Sequence, residues 1–282
     1  MSSVEEVLIV YKEVPQKIYF FWGNQKMSWM RYMTLYSFRK LNPEWEIELW
    51  VYDSPIKNKT WESEEQQDFF SYDGPDYFEE AIKLVTVKEW EGVKKTGPSH
   101  QSNLFKWYIL TKYGGVYADM DILWLKPFDV FKKLKRYDVS LSCFDNYFSI
   151  GLLAATPGNL FFARVLEAAL ENYDKKEYQC LGVNVLYKIF NCWWNEPKLF
   201  EKVTQLFPRL RYFDIPKNWI YPARCFEMNF IFDSKIRLPD DCIGIHWYAG
   251  AEISQKWNNR LTENNVKEFS NTFCECVGSL IC

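Results

Sequence analysis

The sequence predicts an α/β fold, and three observations carry that expectation. A strand, a helix and a strand follow one another near the start. Later, a long helix turns through two glycines directly into an acid-tipped strand, and no repeat, heptad array or low-complexity tract offers another architecture. At 282 residues the chain is long enough to bury a full core as one large domain. Hydrophobic residues make up 48% and charged residues 25%, which is ordinary globular chemistry and disfavours disorder.

The run Lys17-Ile-Tyr-Phe-Phe-Trp22 follows Pro15 and precedes Gly23-Asn24, so it reads as a buried first strand ending in a turn. Ser28 offers a cap to a helix reaching Lys40. That helix must stop at Asn42-Pro43, because proline pushes the residue before it out of the helical region. From Trp45 the pattern partly alternates, as a second strand would. Residues Ser54 to Pro75, polar, acidic and broken by proline and glycine, read as a loop-rich insertion, with a short strand at Lys83 to Val87. The segment Ser99 to Lys112 places Leu104, Trp107, Tyr108 and Thr111 on one helical face, with Gly114 as the left-handed stop.

Further along, Tyr137 to Ser142 and Ile150 to Ala155 read as strands. An amphipathic helix is expected over Asn159 to Asn172 with Leu160, Phe161, Val165, Ala168 and Ala169 inward, then another over Leu181 to Trp194. After Pro197 the chain is loop-rich until a last buried strand at Cys242 to Trp247.

The formal net charge of −3 gives no electrostatic reason to expect a nucleic acid or an anionic membrane as partner, and Lys132-Lys-Leu-Lys-Arg136 reads as a solvated helix end. The first residues are acidic, with an apolar run too short for a signal peptide or a membrane span. The eight cysteines lie mostly singly among apolar residues, with no zinc-site spacing, so buried thiols in a reducing cytoplasm are expected. The sequon Asn58-Lys-Thr60 is then incidental. With 13 Trp, 18 Tyr and 22 Phe, aromatic rings can fill a core and also suit stacking on sugars and bases.

The stretch most suited to chemistry is Tyr113-Gly-Gly-Val-Tyr117-Ala-Asp119-Met-Asp121. If Val116 to Ile122 are extended, Tyr117, Asp119 and Asp121 share one side and Val116, Ala118, Met120 and Ile122 the other. Converging carboxylates suit a hard cation such as Mg²⁺ or Mn²⁺, which keeps open positions for substrate phosphates. The same spacing also describes a solvated acidic pair at a strand end.

Taken with Lys17 to Gly23, Asn42-Pro-Glu-Trp-Glu-Ile-Glu-Leu-Trp50, the block Gln101 to Asp121 and the late His246-Trp247, this stretch resembles the DXD-containing glycosyltransferases of the capsular-polysaccharide, yeast mannosyltransferase and clostridial-toxin group. The resemblance runs from about Pro15 to Trp257. It implies a GT-A fold in a single domain over 1–282, with a donor-binding part at about 15–125, an acceptor-side and closing part at about 126–260, and a C-terminal helix at about 261–282. It also implies retaining transfer of a hexose from a nucleotide-diphosphate sugar, a UDP-sugar first, to a glycan or glycosylated acceptor. Asp119 and Asp121 are the implied catalytic acids and, with His246, the implied ligands of Mn²⁺ or Mg²⁺. Donor contacts fall on Phe21, Trp22, Asn103, Lys106, Tyr117, Asp119, Asn184 and Trp257, and the segment Ala249 to Trp257 would be a closing lid.

Two residues depart from the group's pattern. Its usual Ser-Asp-x-x-Arg is here Ser102-Asn103-Leu-Phe-Lys106, which keeps the net charge but loses a carboxylate and a planar bidentate fork. Altered donor choice, or a weakened homologue that only binds nucleotide sugar or carbohydrate, are both readings of that change.

Overall fold

The computed structural model describes residues 12–52, 62, 72–93, 96–144, 147–171, 173, 177–191, 201 and 205–281. Its frame is a seven-stranded mixed sheet built from β1 (Lys17–Trp22), β2 (Glu46–Tyr52), β3 (Thr86–Trp90), β4 (Gly115–Ala118), β6 (Val139–Phe144), β7 (Tyr147–Ala155) and β8 (Tyr212–Asp214), in the order β3-β2-β1-β4-β7-β6-β8. The first four strands run parallel, and β7 is antiparallel to both β4 and β6. A separate two-stranded ladder joins β5 (Ile122–Trp124) to β9 (Gly244–His246).

Side-chain alternation divides the core. From β1, Tyr19 and Phe21 enter one apolar layer, while Ile18, Phe20 and Trp22 enter the other. The first layer is closed by α3 (Pro98–Lys112) and α5 (Leu160–Glu171), where Trp107 stacks on Phe162 at 5.8 Å. Against the second lies α1 (Trp29–Leu41), whose Phe38 meets the edges of Trp45 and Trp124. A third cluster packs Trp29, Met30 and Met33 of α1 against Trp247 and the C-terminal helices, among them Thr272–Ile281.

Local chemistry accounts for several boundaries. The Ser28 hydroxyl accepts the Arg31 N–H at 3.2 Å and so caps α1. Asn42 ends that helix and ties it to a distant loop, its Oδ1 accepting the Phe128 N–H at 2.7 Å. Gly114 adopts φ +64, the left-handed turn that the sequence assigns to it.

Other expectations need correction. The strand expected at Lys83 to Val87 is a 3-10 turn over Ile82–Leu84 followed by β3, because Thr86 is where pairing with Glu48 begins. Leu160 is 79% exposed; it sits at the first position of α5, and Phe162 takes the inward place beside Phe161. The helix expected over Leu181 to Trp194 is α6 (Val183–Ile189), which ends where Asn191 turns left-handed at φ +46. Residues 192–194, the sequon, the first ten residues and most of the insertion at 54–75 lie outside the described residues.

Among the cysteines, Cys180, Cys242 and Cys274 are buried, Cys143 and Cys276 partly so, and Cys225 is exposed, contrary to a uniformly buried set. Cys192 and Cys282 lie outside the described residues. Lys132, Lys133 and Arg136 are exposed around the buried Leu134, as a solvated helix end requires. Among the described residues no helix is long and apolar enough to cross a membrane.

The run Val116 to Ile122 is not one strand. The Asp119 N–H still bonds the Gly151 carbonyl at 2.8 Å, but the chain then turns at Met120 and Asp121 and joins β9. Burial drives the departure: Met120 sinks into the α1-side core and its carbonyl accepts the Thr34 hydroxyl at 3.0 Å. A Cβ on Gly114 would lie 2.6 Å from the Ala155 carbonyl oxygen and from the Pro157 nitrogen. Gly114→Ala is therefore expected to lower unfolding free energy by roughly 1–3 kcal/mol in a denaturant titration, through left-handed strain and backbone collision.

Candidate active site

The parallel strands β1 and β4 are adjacent, with β2 beyond β1 on one flank and β7 beyond β4 on the other, and a cleft opens beyond their carboxyl ends. The cleft has about 800 Å³ of space including its open mouth. Phe21 and Trp22 from the end of β1, Asn103 and Lys106 from α3, and Tyr117, Asp119 and Asp121 from β4 and its turn all line it. Trp22 is tethered, its Nε1 donating to the Gln25 carbonyl at 2.8 Å.

The two acids are oriented separately. Asp119 Oδ1 accepts from Lys106 Nζ at 3.1 Å and from the Tyr117 hydroxyl at 2.7 Å, and that hydroxyl lies 2.8 Å from Ser102 Oγ. Asp121 Oδ2 accepts the Ala249 N–H at 2.8 Å, and the Asp121 carbonyl accepts the Trp247 N–H at 2.9 Å. Each carboxylate thus has one oxygen bound by the protein. The other oxygens face His246, whose Nε2 is 3.3 Å from Asp121 Oδ1 and 3.7 Å from Asp119 Oδ2.

His246 arrives there because β9 pairs it with Ile122. Gly151 makes room for it, since a Cβ at that position would lie 2.8 Å from His246 Nε2. Burial alone would raise the Asp119 carboxyl, but Lys106, His246 and Tyr117 outweigh it and hold the group well below the usual carboxylate range. Burial, with Asp119 beside it, pushes the Tyr117 hydroxyl far up, so Tyr117 remains a proton donor.

One ligand atom each from Asp119, Asp121 and His246 fall within 4.8 Å of one another. Two carboxylate oxygens and an imidazole nitrogen, each pre-oriented by bonds to the other atoms of its group or by packing, fit a divalent cation.

Two of the expected donor residues lie elsewhere in this structure. Asn184 is outside the cleft lining, its Nδ2 donating to Glu177 Oε2 at 3.1 Å, although the neighbouring Gly182 abuts Asn103. Trp257 is buried in the third cluster, stacked on Phe232 at 5.9 Å. The segment after Tyr248 is in place over Asp121, and the helix Glu252–Arg260 follows it. The sequence reading missed Arg31, Gln25, Tyr178 and Gln179, all of which line the cleft. None carries a motif signal; Arg31 looks like any polar residue in the first turn of a helix.

A mixed sheet flanked by helices thus carries an acidic pair at the end of a central parallel strand, the arrangement expected of a GT-A fold. Residues 26–138 match the family described as the glycosyltransferase sugar-binding region containing the DXD motif, and Asp119-Met-Asp121 has the spacing of that motif. No curated protein matches the chain by sequence.

Among solved structures, the chain is similar to the PaToxG glycosyltransferase, at 17% identity and a TM-score of 0.47 over 70% of this chain and 75% of that one. It is also similar to the glycosyltransferase GlyE of Streptococcus pneumoniae TIGR4, at 16% identity and a TM-score of 0.45 over 89% of this chain. The match spans 62% of GlyE. The galactosyltransferase LgtC in complex with donor and acceptor sugar analogs gives 10% identity and a TM-score of 0.43, with 90% of this chain and 100% of that one covered.

Tyr117→Phe removes one of the two donors that fix Asp119 while keeping the ring. Losses of outer hydrogen bonds of this kind weaken metal sites by about 10–100-fold. A calorimetric Mn²⁺ titration is expected to show a loss in that range.

Proposed function

We propose that the protein is a metal-dependent, retaining glycosyltransferase that moves a hexose from a nucleotide-diphosphate sugar, a UDP-sugar first, to a glycan or glycosylated acceptor in the cytoplasm. The observation that carries this reading is the Asp119, Asp121 and His246 cluster, whose two acids line a cleft of nucleotide-sugar size. We further propose one domain over 1–282, with a donor-binding part at about 15–125, an acceptor-side and closing part at about 126–260, and a C-terminal helical part at about 261–282.

Mn²⁺ suits two carboxylates and an imidazole better than Mg²⁺, which favours oxygen alone. Bound there, the cation supplies a Lewis acid that offsets charge developing on the leaving diphosphate.

The chain's own groups do the rest. Trp22 and Phe21 offer apolar surface for the base. Against the cost of burial, Lys106, His246 and Tyr117 favour the ionised form of Asp119, so it offers an acceptor for a ligand hydroxyl or the cation. Asn103, 7% exposed and turned into the cleft, presents an amide to the sugar's hydroxyls where the related group has an acid. Among the described residues lining the cleft, Asp119 and Asp121 are the only carboxylates. Both are committed to orientation, which supports departure and attack on the same face over double displacement through a further carboxylate.

The site's electrostatics also answer the altered helix. Lys106, at 2% exposure, pairs with Asp119 and lies over the Tyr117 ring at 4.7 Å, so its charge maintains the acidic pair. Asp121→Ala is expected to abolish Mn²⁺-dependent hydrolysis or transfer with UDP-glucose or UDP-galactose, screened within a panel of nucleotide sugars, while leaving the circular dichroism spectrum intact. Undiminished turnover would remove the assignment. Failure of the unmodified protein to bind any of these donors metal-dependently would favour a decayed homologue instead.

A further inference from the structure

A site that receives a diphosphate needs more positive charge than Asp119, Asp121, one divalent cation and Lys106 leave between them, since the two acids match the cation and a single ammonium remains. Two cationic side chains line the cleft among the described residues, Lys106 and Arg31. Lys106 is taken up by Asp119 and by the Ile150 carbonyl at 3.4 Å. Arg31 makes no ion pair with any described carboxylate.

Arg31 is nevertheless held in place. Its guanidinium lies 5.1 Å from the Trp247 ring centroid and 5.8 Å from that of Trp22, and the first turn carrying it is anchored by Ser28, which bonds both the Arg31 N–H and Asn258 Oδ1. Stacking on ring faces fixes the plane of a guanidinium and leaves the N–H donors along its edge for a ligand. Arg31 also borders a second cavity of about 480 Å³ that shares Trp22, Gln25 and Ala249 with the main cleft. Of these shared residues, Trp22 is the expected platform for the base, and Ala249 bonds Asp121.

We propose that Arg31 is the diphosphate-binding cation of this site, donating from its guanidinium edge to phosphate oxygens between the base and the metal ligands. This inference rests on the donor reading above. It transfers to the first helix a role that the related group gives to an arginine on the helix before the acidic motif, a position occupied here by Lys106 and turned to Asp119.

Calorimetry on the full chain in Mn²⁺, with UDP and GDP and with uridine and guanosine, tests it. Arg31→Gln is expected to weaken the diphosphate that the unmodified protein binds by about tenfold or more, as loss of a charge-assisted contact does, and to leave the matching nucleoside unchanged. Arg31→Lys keeps an apolar stem on the tryptophans and a point charge, and is expected to lie between the two. Equal weakening of nucleoside and diphosphate in Arg31→Lys would show that Arg31 only props Trp22, and would overturn the proposal, as would full diphosphate affinity in Arg31→Gln. If the unmodified protein binds neither diphosphate, the donor reading falls and this inference with it. If it binds one and the variants match it, the inference alone falls.

Discussion

Two carboxylates brought together in a largely buried cleft repel each other and lose hydration, and the site exists only because the fold offsets both costs. It does so unevenly. Asp119 is neutralised by a buried ammonium and a phenol, and Asp121 by a backbone amide, so each acid presents its second oxygen toward the same imidazole. Those bonds come from four separate stretches of chain: α3, β4, β9 and the segment after Tyr248. The sheet order places β1 and β4 side by side so that these stretches meet at one carboxyl end.

Much of this was legible in the sequence, for local reasons. The first strand, the serine-capped helix and its stop at Asn42-Pro43, and the glycine turn before the acidic run are written in residues that act on their nearest neighbours. Alternation correctly put Tyr117 and Asp119 on one face. It held for Asp121 as well, which lines the cleft while Val116, Ala118, Met120 and Ile122 lie in the α1-side core; what it did not show is the turn at Met120 and Asp121, where the Met120 carbonyl accepts a hydroxyl from Thr34, 86 residues earlier. Leu160 misled, since periodicity cannot say whether the first position of a helix faces inward. Arg31 was illegible, because its meaning depends on the rings of Trp22 and Trp247, far apart in sequence, both lying close to its guanidinium.

The lysine in place of the expected arginine takes on a different sense in three dimensions. A guanidinium owes its value to a planar fork that binds two oxygens at once. At position 106 the available partners are one carboxylate oxygen, one carbonyl and a ring face, which a compact ammonium meets with separate donors. The lysine therefore directs its charge to the acid rather than to the open cleft. Asn103 fits the same arrangement: next to a carboxylate pair that already needs a lysine to offset it, an amide adds hydrogen bonds without adding a third negative charge.

The far end of the chain belongs to the site as much as the acidic run does. Between His246 and Ala249 the backbone reaches Asp121 twice, through the Trp247 and Ala249 N–H groups, and His246 reaches both acids with its ring. Trp247 then turns its side chain the other way, into the cluster with Met30, Met33 and the C-terminal helices, while its ring also supports Arg31. Packing in that cluster and geometry at the acids are therefore coupled. A cavity opened around Trp247 would loosen the strand that delivers His246 and the amides that hold Asp121, and a ligand that tightens those contacts would stabilise the C-terminal helices in return.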